Sequence, residues 1–316
     1  MSNNGKALGL ILSVALGALP AAAAHSTSLY VGNGSGATLK QTIDGAQAGD
    51  TIIVGPGTYT TPRGYWVSRP LHIISEKGPS ETIIANRGYC VGVGGPCYGS
   101  FGFYLYGFVG NFTIKGFTFR DHFYGDYGLE GQGICVVQVS GTISGNVFSH
   151  NIYGVEAVEA PRVIIENNLF QNNSYDGVMI SSGQSAEIRF NTFASNFGSI
   201  WLAGSAGNAV VRNNIMVLGY RGIVADSSAT FTLSCNDIWG SVKENCYGLS
   251  TGCIGVDGNI SVDPLFCNGY YLHQGSPCLG ANTPSACGGD YMGCYPVACE
   301  VAVQGKSWGN IKSIFK

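Results

Sequence analysis

Between residues 143 and 238 one apolar and polar template returns five times. Ile143, Ile165, Ile188, Val211 and Leu233 each stand three positions before an asparagine, at Asn146, Asn168, Asn191, Asn214 and Asn236. Two positions after each asparagine come Phe148, Phe170, Phe193, Met216 and Ile238, and the steps between asparagines are 22, 23, 23 and 22 residues. A second register runs through Gly154, Gly177, Ser199 and Gly222, each followed by Val or Ile. A fixed period of this size with one apolar template signals a stacked repeat. The alternation of β-branched residues and the recurring glycine exclude helical repeats and point to strands.

A coil of this length accommodates three short strands and three turns. Each coil then hydrogen-bonds to the next at the roughly 4.8 Å spacing of neighbouring strands, so equivalent residues stack directly. An amide at a bend can donate to the amide one coil away and accept from the other side, which satisfies a polar group inside an apolar cylinder. The asparagines are therefore read as a structural ladder. Stacked strands expose edges that need cover. "GATLKQTIDGAQAGD" spaces Leu39, Ile43 and Ala46 on one helical face, suited to plugging the N-terminal opening. Beyond Trp239 the repeat gives way to a cysteine-rich segment that is expected to cap the other end.

Taken together, "TLKQTIDGAQAGDTIIVGPGTYT", the asparagine coils and "NISVDPLFCNGYYLHQGSPCLGA" resemble secreted right-handed parallel β-helix proteins of the pectate-lyase-like superfamily, over roughly residues 29–295. The resemblance implies an all-β, right-handed solenoid, and many members cleave, epimerise or bind acidic polysaccharides. The better-known catalytic signatures are missing: no polygalacturonase-like "NTD", paired aspartate or "GHG", no "RxPxxR" and no "DPHD". Fold carries over on such a likeness, and chemistry does not.

The first 24 residues read as a secretory leader, with Lys6 in the n-region, "ALGLILSVALGALP" as the apolar core and "AAAA" before His25. That leaves a single β-helix domain with its caps over 25–300 and a tail over 301–316, in a protein expected to be secreted or at the cell surface. Only 11% of residues are charged and the net charge is −3, so no broad nucleic-acid footprint is expected. Export would permit disulfides among the eleven cysteines. Short separations suggest local staples, Cys90 to Cys97, Cys246 to Cys253 and above all Cys267 to Cys278, and the odd count leaves at least one thiol over. The sequence contains no CxxC, and no histidine stands at ligand spacing from a cysteine.

Two outward regions carry candidate chemistry. One row, two residues before the ladder, reads Ser144, Glu166, Arg189, Arg212 and Ser234, with Lys115 in the preceding coil. Arg189 and Arg212 could grip a sugar carboxylate, or the row could be a cross-coil ion-pair ladder with Glu166 bonded to Arg189. The second region is an insertion, "RDHFYGDYGLEGQG" at 120–133, which interrupts the repeat. Its Asp121, His122, Asp126 and Glu130 stand among Phe123, Tyr124 and Tyr127, and in register it meets His150, Tyr153, Glu156 and Asp176, with Arg221 further along.

His122, Glu156 and Asp176 are the candidate acid–base groups, expected to face outward. Asp121, Asp126 and Glu130 are candidate calcium ligands. Tyr124, Tyr153 and Trp201 would supply flat faces for sugar rings, with Arg189, Arg212 and Arg221 as polar contacts. The insertion could equally be a connecting loop packed on the barrel. His72 reads as structural. A further outward row, Cys135, Glu156, Met179, Trp201 and Val224, is apolar apart from Glu156 and could bind carbohydrate or lie beneath a loop. In the tail, Trp308, Ile311, Ile314 and Phe315 fall near one helical face and could dock the protein to a surface. Two functions remain in view: a protein that binds or cleaves extracellular polysaccharide, with uronate-containing chains among the candidates, or a non-catalytic envelope, adhesion or structural module.

Overall fold

The computed structural model describes residues 26–32, 34–60, 63–86, 89–90, 97–98, 100–122, 131–183, 185–204, 207–249, 252–295 and 297–299. The expected leader, the tail from 301 and residues 123–130 of the insertion lie outside them, as do the side chains of Cys90 and Cys97.

Three parallel sheets wrap one apolar core. The first has nine strands, from Ser28–Val31 to Phe231–Ser234. The second has eight, from Gly57–Tyr59 to Asp237–Trp239, and the third eight, from Tyr65–Val67 to Glu244–Tyr247. Successive coils add one strand to each sheet, which makes a right-handed parallel β-helix of about eight turns. The helix Gly36–Gly45 plugs the N-terminal end with Leu39, Ile43 and Ala46 buried, and the Ser35 side chain caps it by accepting from the Thr38 amide at 3.3 Å.

The asparagine ladder forms as the spacing predicts. Nδ2 of Asn146, Asn168, Asn191 and Asn214 each donates to Oδ1 of the next member at 3.0–3.1 Å. The residue before each asparagine adopts a left-handed conformation, for example Asn167 at φ 55°, Phe190 at φ 53° and Asn213 at φ 55°. A single such residue turns the chain, and the amide that follows ties the bend to its neighbour coil. The ladder runs further than expected: Asn236 donates to Asn259 at 2.9 Å, so the stacking continues beyond Trp239 into the cysteine-rich segment. A second ladder, Asn151 to Asn173 to Asn196, lies at another corner with steps of 3.1 and 2.8 Å.

Glycine recurs because of what it faces. Phe119, Phe148, Phe170 and Phe193 stack inside the solenoid with centroids 5.1, 4.8 and 4.7 Å apart. A Cβ on Gly133, Gly154 or Gly177 would come within 2.5–2.6 Å of Phe148, Phe170 or Phe193 respectively. The buried Ser199 takes the glycine position in the coil where Met216, a more adaptable side chain, takes the place of Phe.

At the C-terminal end Cys246–Cys253 is a local staple, as expected, and Cys235–Cys287 is a long-range one across 52 residues. The expected Cys267–Cys278 pairing is corrected. Cys267 is disulfide-bonded but not to Cys278, which is a free buried thiol donating to Asp237 Oδ2 at 3.1 Å. Closeness in sequence does not fix where a thiol points, and in the folded cap Cys278 turns inward onto the last strand of the second sheet. Cys135 and Cys294 are also free and buried.

Candidate functional site

Parallel register converts positions one coil apart into continuous rows on the outside of the third sheet. One row runs Trp66, Tyr104, Cys135, Glu156, Met179, Trp201, Val224 and Tyr247. At the sheet's edge a second row passes through Tyr153, Asp176, Gly198, Arg221 and Glu244. The structure therefore brings Tyr153, Asp176, Trp201 and Arg221 to one side of the solenoid, as the repeat register implies.

A cleft of about 220 Å³ opens there, lined by Tyr175, Asp176, Phe197, Trp201, Arg221, Asp226 and Tyr247 among others. Asp176 is only 3% exposed, and its Oδ2 has no hydrogen-bond partner among the described residues. The missing side chain at Gly198 makes room for it: a Cβ at that position would stand 2.0 Å from Asp176 Oδ1. Burial pushes the Asp176 carboxyl up to about 7, and Arg221 opposes that shift. Such a group can hold or release a proton at neutral pH. Arg221 is 3.4 Å from Glu244 and lies over the Tyr247 ring at 4.5 Å and the Tyr220 ring at 5.6 Å. Trp201 is held by Nε1 donating to Asp226 Oδ1 at 3.3 Å.

The adjoining corner carries a ring stack that the sequence reading missed. Tyr153, Tyr175, Phe197 and Tyr220 succeed one another at centroid distances of 5.3, 5.4 and 4.9 Å, and Tyr175 and Phe197 are about two-fifths exposed. Their steps of 22, 22 and 23 residues were available in the sequence as a register of aromatics. At the N-terminal end of the same sheet, Trp66 packs on Phe101, Tyr104 and Tyr106 with centroids 4.6–5.5 Å apart, and Trp66 and Tyr106 are exposed.

Several candidate residues lie elsewhere. His122, expected to face outward, is fully buried beside Ser100, and burial is the main cause that lowers its pKa to about 3. The 29-residue step across the insertion breaks the phase from which its direction was inferred. It is a neutral core histidine. Asp176 is likewise mostly buried, but in the wall of an open cleft. Glu156 is half-buried, accepts from Gln132 Nε2 at 2.6 Å, and has its pKa raised by burial.

Arg189 and Arg212 sit on the first sheet, away from the cleft. Arg189 bonds Glu166 at 2.7 Å and Glu187 at 2.9 Å, and Arg212 bonds Glu187 at 3.1 Å, so the row is a cross-coil ion-pair network. His72 pairs with Thr113 Oγ1 at 3.0 Å, a structural role as expected. Tyr124, Asp126 and Glu130 lie outside the described residues. Asp121 is 3.6 Å from Arg120, and among the described residues no group of three potential ligands is placed to hold a metal.

A family profile for the right handed beta helix region matches residues 101–261, just over half of the chain. No curated protein matches. Among solved structures, the Yersinia enterocolitica family 28 exopolygalacturonase is similar at 13% identity and TM-score 0.46, covering 75% of this chain and 63% of that one. This chain thus spans less than two thirds of that enzyme. The A-module of the Azotobacter vinelandii mannuronan C-5 epimerase AlgE6 is similar at 12% identity and TM-score 0.23, covering 73% of this chain and 97% of that one.

Proposed function

The chain belongs to the right-handed beta helix family, and from that scaffold and the cleft on its third sheet we propose that the protein binds extracellular polysaccharide along this face. The observation that carries the reading is the convergence of Tyr175, Phe197, Trp201 and Tyr247 around Asp176 and Arg221 in one open cleft. Flat rings offer apolar faces to a pyranose, and a few convergent polar groups fix its hydroxyls. The leader read at 1–24 and the disulfides of the cap support export into an oxidising compartment.

One observation favours turnover as well as binding. Asp176, unpartnered at Oδ2 and titrating near neutrality, has the placement of a general acid or base. The test screens exported protein against uronate-containing and neutral polysaccharides, following retention, unsaturated product and new reducing ends together. Trp201→Ala is expected to weaken retention of the polysaccharide that binds, and Asp176→Asn to abolish any product while leaving the fold intact. Retention unaffected by Trp201→Ala would refute the cleft, and product that survives Asp176→Asn would refute the catalytic role.

A further inference from the structure

Two aromatic platforms stand on the same sheet face, at opposite ends of it. Trp66 with Tyr104 and Tyr106 forms the first, and Trp201 with Tyr247 lines the cleft at the second. Five strand steps separate Trp66 from Trp201, roughly 24 Å at the usual spacing of neighbouring strands. The part-exposed outward positions between them are Val137, Glu156, Val158, Met179 and Ser181, with Cys135 buried beneath the surface, so the accessible strip is mostly apolar with one acid on it.

Charge on this face does not suit an anionic polymer. At the cleft, Arg221 is matched by Glu244 at 3.4 Å, and Lys243, over Tyr220 at 5.8 Å, is balanced in number by Asp226. Among the described residues, two cations against two acids leave no surplus positive charge, and neither Asp176 nor Glu156 supplies any. At the other end Arg63 is already engaged. The arginines that could form a cationic row, Arg189 and Arg212, lie on the first sheet and are held by Glu166 and Glu187. A polyuronate would find no surplus cation along the strip to offset the desolvation of its carboxylates, whereas a chain of uncharged rings meets apolar surface and stacking faces.

Resting on the saccharide-binding reading above, we infer that the ligand of this face is a neutral polysaccharide, lying along the solenoid axis and held at both ends by the Trp66 and Trp201 platforms. Affinity should then grow with chain length until the ligand spans both.

The test uses the exported full chain in affinity electrophoresis and calorimetry. The probes are hydroxyethyl cellulose, galactomannan and dextran as neutral polymers, and alginate, polygalacturonate and carboxyl-reduced polygalacturonate as the charge comparison. Oligosaccharides of graded length are then cut from the neutral polymer that binds. At least one neutral polymer should bind, more tightly than alginate or polygalacturonate, and carboxyl reduction should improve binding. Trp66→Ala should lower affinity for the longest oligosaccharides about tenfold and leave the shortest unchanged, Trp66→Phe should restore it, and Trp201→Ala should weaken all lengths. Tighter binding of the acidic polymers, still lost in Trp201→Ala, would overturn this inference and leave the saccharide-binding reading standing. Equal loss at every length in Trp66→Ala would overturn the two-platform arrangement. Failure of every polymer to bind would overturn both.

Discussion

Asn191→Leu tests the account of the ladder most directly, because the structure specifies what the substitution strands. Asn191 Nδ2 donates to Asn214 Oδ1 at 3.0 Å, to the Ile165 carbonyl at 2.8 Å and to the Arg189 carbonyl at 3.0 Å. Its Oδ1 accepts from the backbone N of Asn168 at 2.9 Å and from Asn168 Nδ2 at 3.1 Å. Leucine branches at the same atom with the same number of heavy atoms, but its methyl groups are bulkier than the hydrogen-bonded amide, so a steric cost adds to the loss of polar satisfaction. Some neighbours keep a partner: Asn214 Oδ1 still accepts from the Asn191 amide at 3.0 Å, and Asn168 Nδ2 still donates to the Ile143 carbonyl at 2.9 Å. The Asn168 backbone N–H loses the side-chain acceptor it has, and the Ile165 carbonyl loses a donor.

One fully and one partly stranded group, at about 1–3 kcal/mol for a buried unsatisfied group, give a destabilisation of about 2–4 kcal/mol. Urea unfolding followed by circular dichroism measures it. Gln41→Ala on the exposed side of the plugging helix serves as the control and should stay within about 0.5 kcal/mol of wild type. An Asn191→Leu midpoint indistinguishable from that of wild type would refute the claim that stacked amides hold these coils together.

Three further outcomes are expected. Gly177→Ala places a methyl 2.6 Å from Phe193 and 2.9 Å from the Ser199 carbonyl, so it should cost about 1–3 kcal/mol in the same urea assay, and a neutral result would sink the steric reading of the glycine row. Mass mapping of unreduced protein should recover Cys235–Cys287 and Cys246–Cys253 and find Cys135, Cys278 and Cys294 alkylated only after denaturation; the paired Cys235→Ser and Cys287→Ser variant should lose about 2–5 kcal/mol. Asp176 titrates at about 7 in the fold against a reference of 3.8, so the native state binds the extra proton between those values and the stability linked to it is lost as pH rises through about 7; Asp176→Asn should flatten that slope between pH 4 and 7, and an unchanged slope would show that the carboxyl is not held neutral.

The sequence by itself determined the solenoid, its ladder and the rows on its surface. In a stack of parallel coils a residue's neighbour across the sheet is the residue one period away, so a one-dimensional period becomes a three-dimensional contact. That is why Asn146 to Asn236 were readable as a ladder, and why the pairing of Glu166 with Arg189 and the shared row of Tyr153, Asp176 and Arg221 followed from counting. The second ladder at Asn151, Asn173 and Asn196 and the ring stack through Tyr175, Phe197 and Tyr220 obey the same rule and were present in the register.

Tertiary structure alone decided the features for which the period is silent. His122 stands where the insertion breaks the phase, so spacing could not say which way it points, and the fold turned it inward. Cys278 faces Asp237 and not Cys267, because the cap has no repeat to fix its directions. The cleft arose from a gap: Asp176 leans over Gly198 into space that a side chain would have filled, and only the packed coils place that absence between the carboxyl and Arg221.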